Sequence, residues 1–176
     1  WTEELIFRGV ILNLFLERFS KTKRGILWAV ILSGVLFGAV HLTNISQGVN
    51  VTSAMIQAIN GAFLGVIFGA VYARSGNIWL VMTFHALVDF ASLMGSGIFG
   101  AGTTVEQINQ MSAANLIAVP VLLIPCIVLL RPKKLLEMEQ EANHIVVFET
   151  FEEADRNAAL SLALGMISIL TGFMGY

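Results

Sequence analysis

Apolar residues fall in long blocks along this chain, and the polar positions lie between the blocks or at isolated points inside them. About 20 consecutive apolar residues cross the hydrocarbon core of a bilayer as a helix, and five or six blocks approach that length. Segment A runs from Trp1 to about Phe19 and closes on the basic turn Lys21-Thr22-Lys23-Arg24. Segment B, Gly25 to Leu42, carries no charge and holds His41 near its end; an uncharged polar loop, Thr43 to Asn50, follows. Segment C, Val51 to Ala73, has Gln57 and Asn60 as its strongly polar members and ends at Arg74-Ser75-Gly76-Asn77. Segment D, Ile78 to about Met94, contains His85 and Asp89, and the glycine-rich stretch Gly95 to Gly102 is expected to break it. Segment E, about Ala113 to Leu130, includes Pro120 and Pro125, which membrane helices tolerate where neighbours re-satisfy the backbone. From Arg131-Pro132-Lys133-Lys134 the pattern turns polar and acidic and reads as a solvated helical linker, before a last apolar block, segment F, Ala158 to Tyr176. The expected fold is an all-α polytopic membrane helix bundle with five to six transmembrane segments.

Basic residues set the orientation. If A to E alternate across the bilayer, the Lys and Arg turns after A, C and E all fall on one side, which the positive-inside rule makes cytoplasmic. The loops expected opposite, Thr43 to Asn50 and Gly95 to Ser112, contain neither Lys nor Arg. Small residues at Ala54, Ala58, Gly61, Gly65 and Gly69 form a stripe on segment C that lets another helix approach closely.

Composition agrees with a membrane protein: 56% of the residues are hydrophobic, 12% are charged and mean hydropathy is +0.79, against about a quarter charged in soluble domains. A net charge of −2 offers no basic field for nucleic acid, and one cysteine, Cys126, cannot form an internal disulfide. No charged n-region precedes the first helix, so no signal peptide is expected. Further membrane helices are expected upstream of Trp1.

Against this apolar background, six ionisable groups stand out: Glu3, Glu4 and Arg8 in A, His41 in B, and His85 and Asp89 in D. An ionisable group inside a bilayer costs about 3 kcal/mol on insertion scales, so such groups must be paired or employed. Glu4 and Arg8 are four apart and share a helix face, as an ion pair requires, whereas Glu3 lies about 100° further round and is free to act elsewhere. His85 and Asp89 are also four apart, so the carboxylate can orient the imidazole or share a ligand with it. Phe37 lies one turn before His41, as an aromatic wall or as ordinary packing. The same acids and histidines would serve hydrolysis, or a proton relay in a proton-coupled membrane transporter or channel subunit.

Glu3-Glu4-x-x-x-Arg8, Phe37-x-x-x-His41 and His85-x-x-x-Asp89 resemble, in order, the three signature motifs of the CAAX protease and bacteriocin-processing enzyme family. These membrane-embedded endopeptidases include the type II CAAX prenyl proteases and proteins like lysostaphin resistance protein A. The resemblance covers about Trp1 to Met94. It implies a catalytic helix bundle in residues 1–95 and says nothing of the rest, where the apolar and polar pattern divides the chain into a loop and further transmembrane helix in 96–131, a polar cytoplasmic linker in 132–157 and a last transmembrane helix in 158–176. Asp89 departs from the prenyl protease branch, where the third motif usually ends in Asn, while staying within the wider bacterial pattern. The implied setting is a multi-pass protein of a bacterial or archaeal cell membrane, acting on a peptide or membrane-anchored protein.

By that resemblance Glu3 acts as general base on a water also held by His41, His85 with Asp89 stabilises the oxyanion, and Glu4 with Arg8 sets the geometry. A zinc version would use His41, His85 and Asp89 as ligands with water in the fourth place; the metal-free version is preferred. Other intramembrane protease designs lack their marks here: there is no His-Glu-x-x-His and no pair of spanning Asp residues, and Gly95-Ser96-Gly97 lies past segment D. Counting 1.5 Å per residue from the basic turns places Glu3 and His41 near the non-cytoplasmic end and His85 nearer mid-membrane, so one site needs tilt or a short re-entry.

Overall fold

The computed structural model describes residues 1–19, 22–99, 103–144 and 161, and segment F lies outside them except for Ser161. All secondary structure among the described residues is helical. The first helix, α1, is α-helical at Thr2–Glu4, widens to π-helix at Leu5–Leu12, and is α-helical again at Asn13–Phe19. Helix α2 is Lys23–Val40 and tightens into a 3₁₀ stretch at His41–Gln47; α3 is Val51–Ser75 and α4 Ile78–Phe99. The short helix α5, Thr104–Asn109, precedes a 3₁₀ turn at Ala113–Ile117 that leads into α6, Ala118–Leu129; α7 is Pro132–His144.

Local chemistry sets most of these boundaries. The Thr22 and Asn50 side chains accept from the backbone N–H groups of Gly25 and Ser53, capping α2 and α3. Gly76 closes α3 at φ 61°, a left-handed conformation that suits glycine, and its N–H donates to Tyr72 O. Thr103 and Glu106 form a reciprocal capping box on α5, whose T-x-x-E signature stands in the sequence.

Three features differ from the sequence expectation. Helix α4 runs through the glycines at 95 and 97 to Phe99 instead of breaking there; glycine is common in membrane helices, where an unwound backbone would leave polar groups unsatisfied. The polar stretch after Arg131 is not wholly solvated: α7 docks Leu135 and Met138 onto Ile26 of α2, because apolar residues three apart share a face. Segment A is not one regular helix, and its π stretch, with i→i+5 bonding, has no local sequence signal.

Helices α2 and α3 pack closely through the small-residue stripe. A Cβ added at Gly38 would lie 2.3 Å from Ala58 O, and one at Gly65 would lie 2.8 Å from Gly34 Cα. Leu12 of α1 joins Ala29, Val30 and Ala70 in a core cluster, and Asn13 Nδ2 donates to Tyr72 Oη at 3.0 Å.

The two ends of the bundle differ as the charge pattern requires. At one end Leu27, Ala73 and Leu130, close in sequence to the three basic turns, pack on the α7 contact. At the other end Asn109 Oδ1 accepts from the Asn50 backbone N–H at 2.7 Å and from Asn50 Nδ2 at 2.8 Å, and Ser53 Oγ donates to Met111 O at 3.0 Å. The two loops without Lys or Arg are thus tied together. Among the described residues, the runs Lys23–Gln47 and Val51–Ser75 are long and apolar enough to cross a bilayer. A third qualifies if Ala113–Leu129 and Pro132–Gln140, bent by 47°, count as one span, and Ile78–Met94 is a shorter apolar helix. Segment F, apart from Ser161, lies outside the described residues and is not part of this count.

Candidate active site

The six ionisable residues come from α1, α4 and the end of α2. Glu4 and Arg8 are fully buried, with 0% side-chain exposure, and Arg8 Nη1 donates to Glu4 Oε1 at 3.0 Å. Arg8 Nη2 donates to the Gly65 carbonyl of α3 at 2.8 Å. Its guanidinium lies over the rings of Phe37, 4.6 Å from the centroid, and Phe68, 5.5 Å away, a geometry in which the ring quadrupoles attract the cation. Glu4 Oε2 and Arg8 Nε are buried with no hydrogen-bond partner.

Glu4 has a second partner 81 residues away. His85 Nδ1 lies 2.7 Å from Glu4 Oε1; since the carboxylate oxygen accepts, Nδ1 carries the proton. The other ring nitrogen, Nε2, lies 3.5 Å from Glu3 Oε2 and 3.5 Å from Asp89 Oδ1. Glu3 is 21% exposed and Asp89 64%. The imidazole is therefore fixed from the buried side by one carboxylate and presented to two more accessible ones. Its ring packs at 5.7 Å from Phe37 and 5.3 Å from Phe68. These contacts put His85 level with Glu3 and Glu4, which removes the difference in depth that residue counting gives.

His41 stands where α2 tightens into its 3₁₀ stretch. Its Nδ1 donates to Phe37 O at 3.1 Å, which leaves Nε2 as the acceptor nitrogen. The ring packs 5.5 Å from Phe37 and lies against Gly61 of α3, 3.5 Å from where a Cβ there would be, an ordinary contact distance. Phe37 thus touches both histidines. Among the described residues no hydrogen bond or ion pair links His41 to Glu3, His85 or Asp89, and no three His, Cys, Asp or Glu side chains stand together as a metal-binding group.

Sequence reasoning did not single out the Gly65 carbonyl, Phe68 or Ser33. Ser33 Oγ donates to Phe7 O at 3.2 Å and ties α2 to the π stretch of α1. Gly65 belongs to the small-residue stripe, whose pattern signals close packing but cannot show a carbonyl turned to a guanidinium. Phe68 is one of twelve phenylalanines, and only its place beside His85 separates it from the others.

A family model described as "Rce1-like: Type II CAAX prenyl endopeptidase Rce1-like" matches residues 1–91, 91 of the 176 in the chain. No curated protein and no solved structure matches the chain. With every motif residue from Glu3 to Asp89 inside that match, and with Glu3, Glu4, Arg8, His85 and Asp89 gathered in one partly buried cluster, the chain belongs to the Rce1-like family of type II CAAX prenyl endopeptidases, which are membrane proteases.

Proposed function

We propose that this protein is an intramembrane endopeptidase that hydrolyses a peptide bond in a CAAX-type or other membrane-anchored protein substrate, with a water activated by Glu3 and no metal. The observation that carries the mechanism is the 2.7 Å contact between His85 Nδ1 and Glu4, which holds Nε2 beside Glu3 and Asp89. Glu3 takes a proton from a water that His41 Nε2 also holds, and the water oxygen attacks the scissile carbonyl carbon. His85, carrying protons on both nitrogens, donates Nδ1–H to Glu4 and Nε2–H to the developing oxyanion, with Asp89 orienting the ring. When the tetrahedral intermediate collapses, the C–N bond breaks and Glu3 returns its proton to the leaving amine. Arg8, itself anchored by the Gly65 carbonyl and the two phenylalanine rings, holds Glu4 in place.

The metal-free form is supported by the donor arrangement, since among the described residues no three His, Cys, Asp or Glu side chains form a metal-binding group. Segments A to E are all taken to cross the bilayer, with the basic turns cytoplasmic. No observation favours a transporter. The test is cleavage of prenylated and unprenylated peptides by purified protein in detergent, where no ion gradient exists. Wild type should cleave, and Glu3→Gln, which keeps size and hydrogen bonding, should lose at least about 100-fold while melting at the same temperature. Full activity in Glu3→Gln would refute the mechanism.

A further inference from the structure

Away from the catalytic cluster, α2, α3 and α6 enclose an open groove of about 440 Å³ whose walls are apolar side chains and the Cys126 thiol. Leu27 and Ile31 of α2, Val66 of α3, Ile127 of α6 and Leu130 just past its end line it. The groove shares no residue with the catalytic cluster. Its volume lies within the range of small-molecule sites. Its lining has no polar group to orient a polar ligand, so an occupant must be a hydrocarbon chain along its length.

One end of the groove is different. Leu27 and Leu130 both pack on the contact between α2 and α7. Lys23 lies one turn before Leu27 and Arg24 three residues before it, while Arg131 directly follows Leu130. Lys23, Arg24 and Arg131 are exposed, and among the described residues no ion pair neutralises them. At this point the chain bends by 47° into α7, which leaves α6 with Leu135 and Met138 docked and Leu136 partly exposed. A helix of that kind, apolar on one side and charged on the other, suits the headgroup layer.

We propose that this groove is a binding site for one anionic phospholipid, with an acyl chain along Leu27, Ile31, Val66 and Ile127 and the phosphate on Lys23, Arg24 and Arg131. Basic residues beside a groove between transmembrane helices favour an anionic headgroup over a zwitterionic one. The hydrocarbon groove supplies what a surface cation cluster lacks, a fixed register for one chain.

Two variants separate the parts of the site, and neither touches the catalytic cluster. Lys23→Gln/Arg24→Gln/Arg131→Gln removes the cations. Ile127→Trp puts bulk into the groove from a residue that is 66% exposed, so its folding should be unaffected. Purified full chain is titrated with phosphatidylglycerol or phosphatidylcholine in detergent, bound lipid is counted by native mass spectrometry, and helicity and melting are measured for each variant. Wild type should retain one phosphatidylglycerol in preference to phosphatidylcholine. Each cation near the headgroup is worth about a factor of five, so the triple variant should lose about 100-fold in affinity, and Ile127→Trp should lose at least about ten-fold with its charges intact. Equal retention of both lipids by wild type would overturn the proposal. So would full phosphatidylglycerol binding by folded Ile127→Trp, which would reduce the site to general surface attraction.

Discussion

Removing the Arg8 guanidinium should destabilise this protein more than almost any other single change, and most of that loss should vanish if Glu4 is neutralised as well. Arg8→Met keeps an apolar stem but leaves the Glu4 carboxylate with 0% exposure and, among the described residues, only His85 as a partner. Breaking one side of a buried ion pair costs about 3–5 kcal/mol, because the remaining charge loses its guanidinium partner where no water replaces it. The lost stacking on Phe37 and Phe68 adds about 0.5–2 kcal/mol, which places Arg8→Met near the top of that range. For a domain of this size each kcal/mol is worth about 2–4 °C in Tm, so the melting point should fall by at least about 10 °C. In Glu4→Gln/Arg8→Met the buried carboxylate that Arg8 pairs with is gone as well, and an amide oxygen can still accept from His85 Nδ1. The double variant should recover most of the loss, giving a coupling energy of at least about 2 kcal/mol in the double-mutant cycle. Thermal unfolding in detergent of wild type, both single variants and the double variant measures it. Additive effects, with coupling under about 0.5 kcal/mol, would refute the claim that Arg8 acts by compensating Glu4.

Asp89→Asn should keep measurable peptidase activity and stay insensitive to chelators, because an amide can also orient His85; loss of activity restored only by added zinc would reverse the metal-free assignment. Gly38→Ala should destabilise by about 1–3 kcal/mol, since the added methyl meets the α3 backbone at 2.3 Å, and wild-type melting would show that the helices can separate without cost. Single cysteines placed in Thr43 to Asn50 and in Ser112 should be labelled from the same side of the membrane, opposite to Arg24 and Lys133, and labelling from the cytoplasm at either site would break the alternating topology. Hydrogen bonds from Thr103 hold the Glu106 carboxyl below its ordinary range. The stability it lends α5 is therefore present above the ordinary Glu value and lost as pH falls through the lower folded value, which amide exchange in α5 across pH 3 to 6 would follow.

The sequence by itself determined that this is an all-helical membrane protein and where most of its helices lie. Blocks of about 20 apolar residues have few alternatives in a bilayer, since only hydrogen-bonded helices or closed barrels satisfy the backbone there. The motif residues were legible for the same reason: an ionisable group is so costly among apolar residues that its presence is already information. Spacing of four also gave the Glu4–Arg8 pair, a contact within one helix.

Contacts between helices were decided only by the tertiary structure. The partner of His85 is Glu4 at 2.7 Å, 81 residues away, with Glu3 and Asp89 each at 3.5 Å, whereas sequence spacing suggested Asp89 alone. His41 packs on Phe37 and its Nδ1 donates to Phe37 O, a contact within one helix. The π stretch of α1, the run of α4 through its glycines and the docking of α7 follow from what each helix meets, and no local pattern encodes that. Periodicity fixes which residues share a face of one helix; which faces meet depends on close packing between α2 and α3, where glycines let the backbones approach, and on the buried Arg8 that joins α1 to α3.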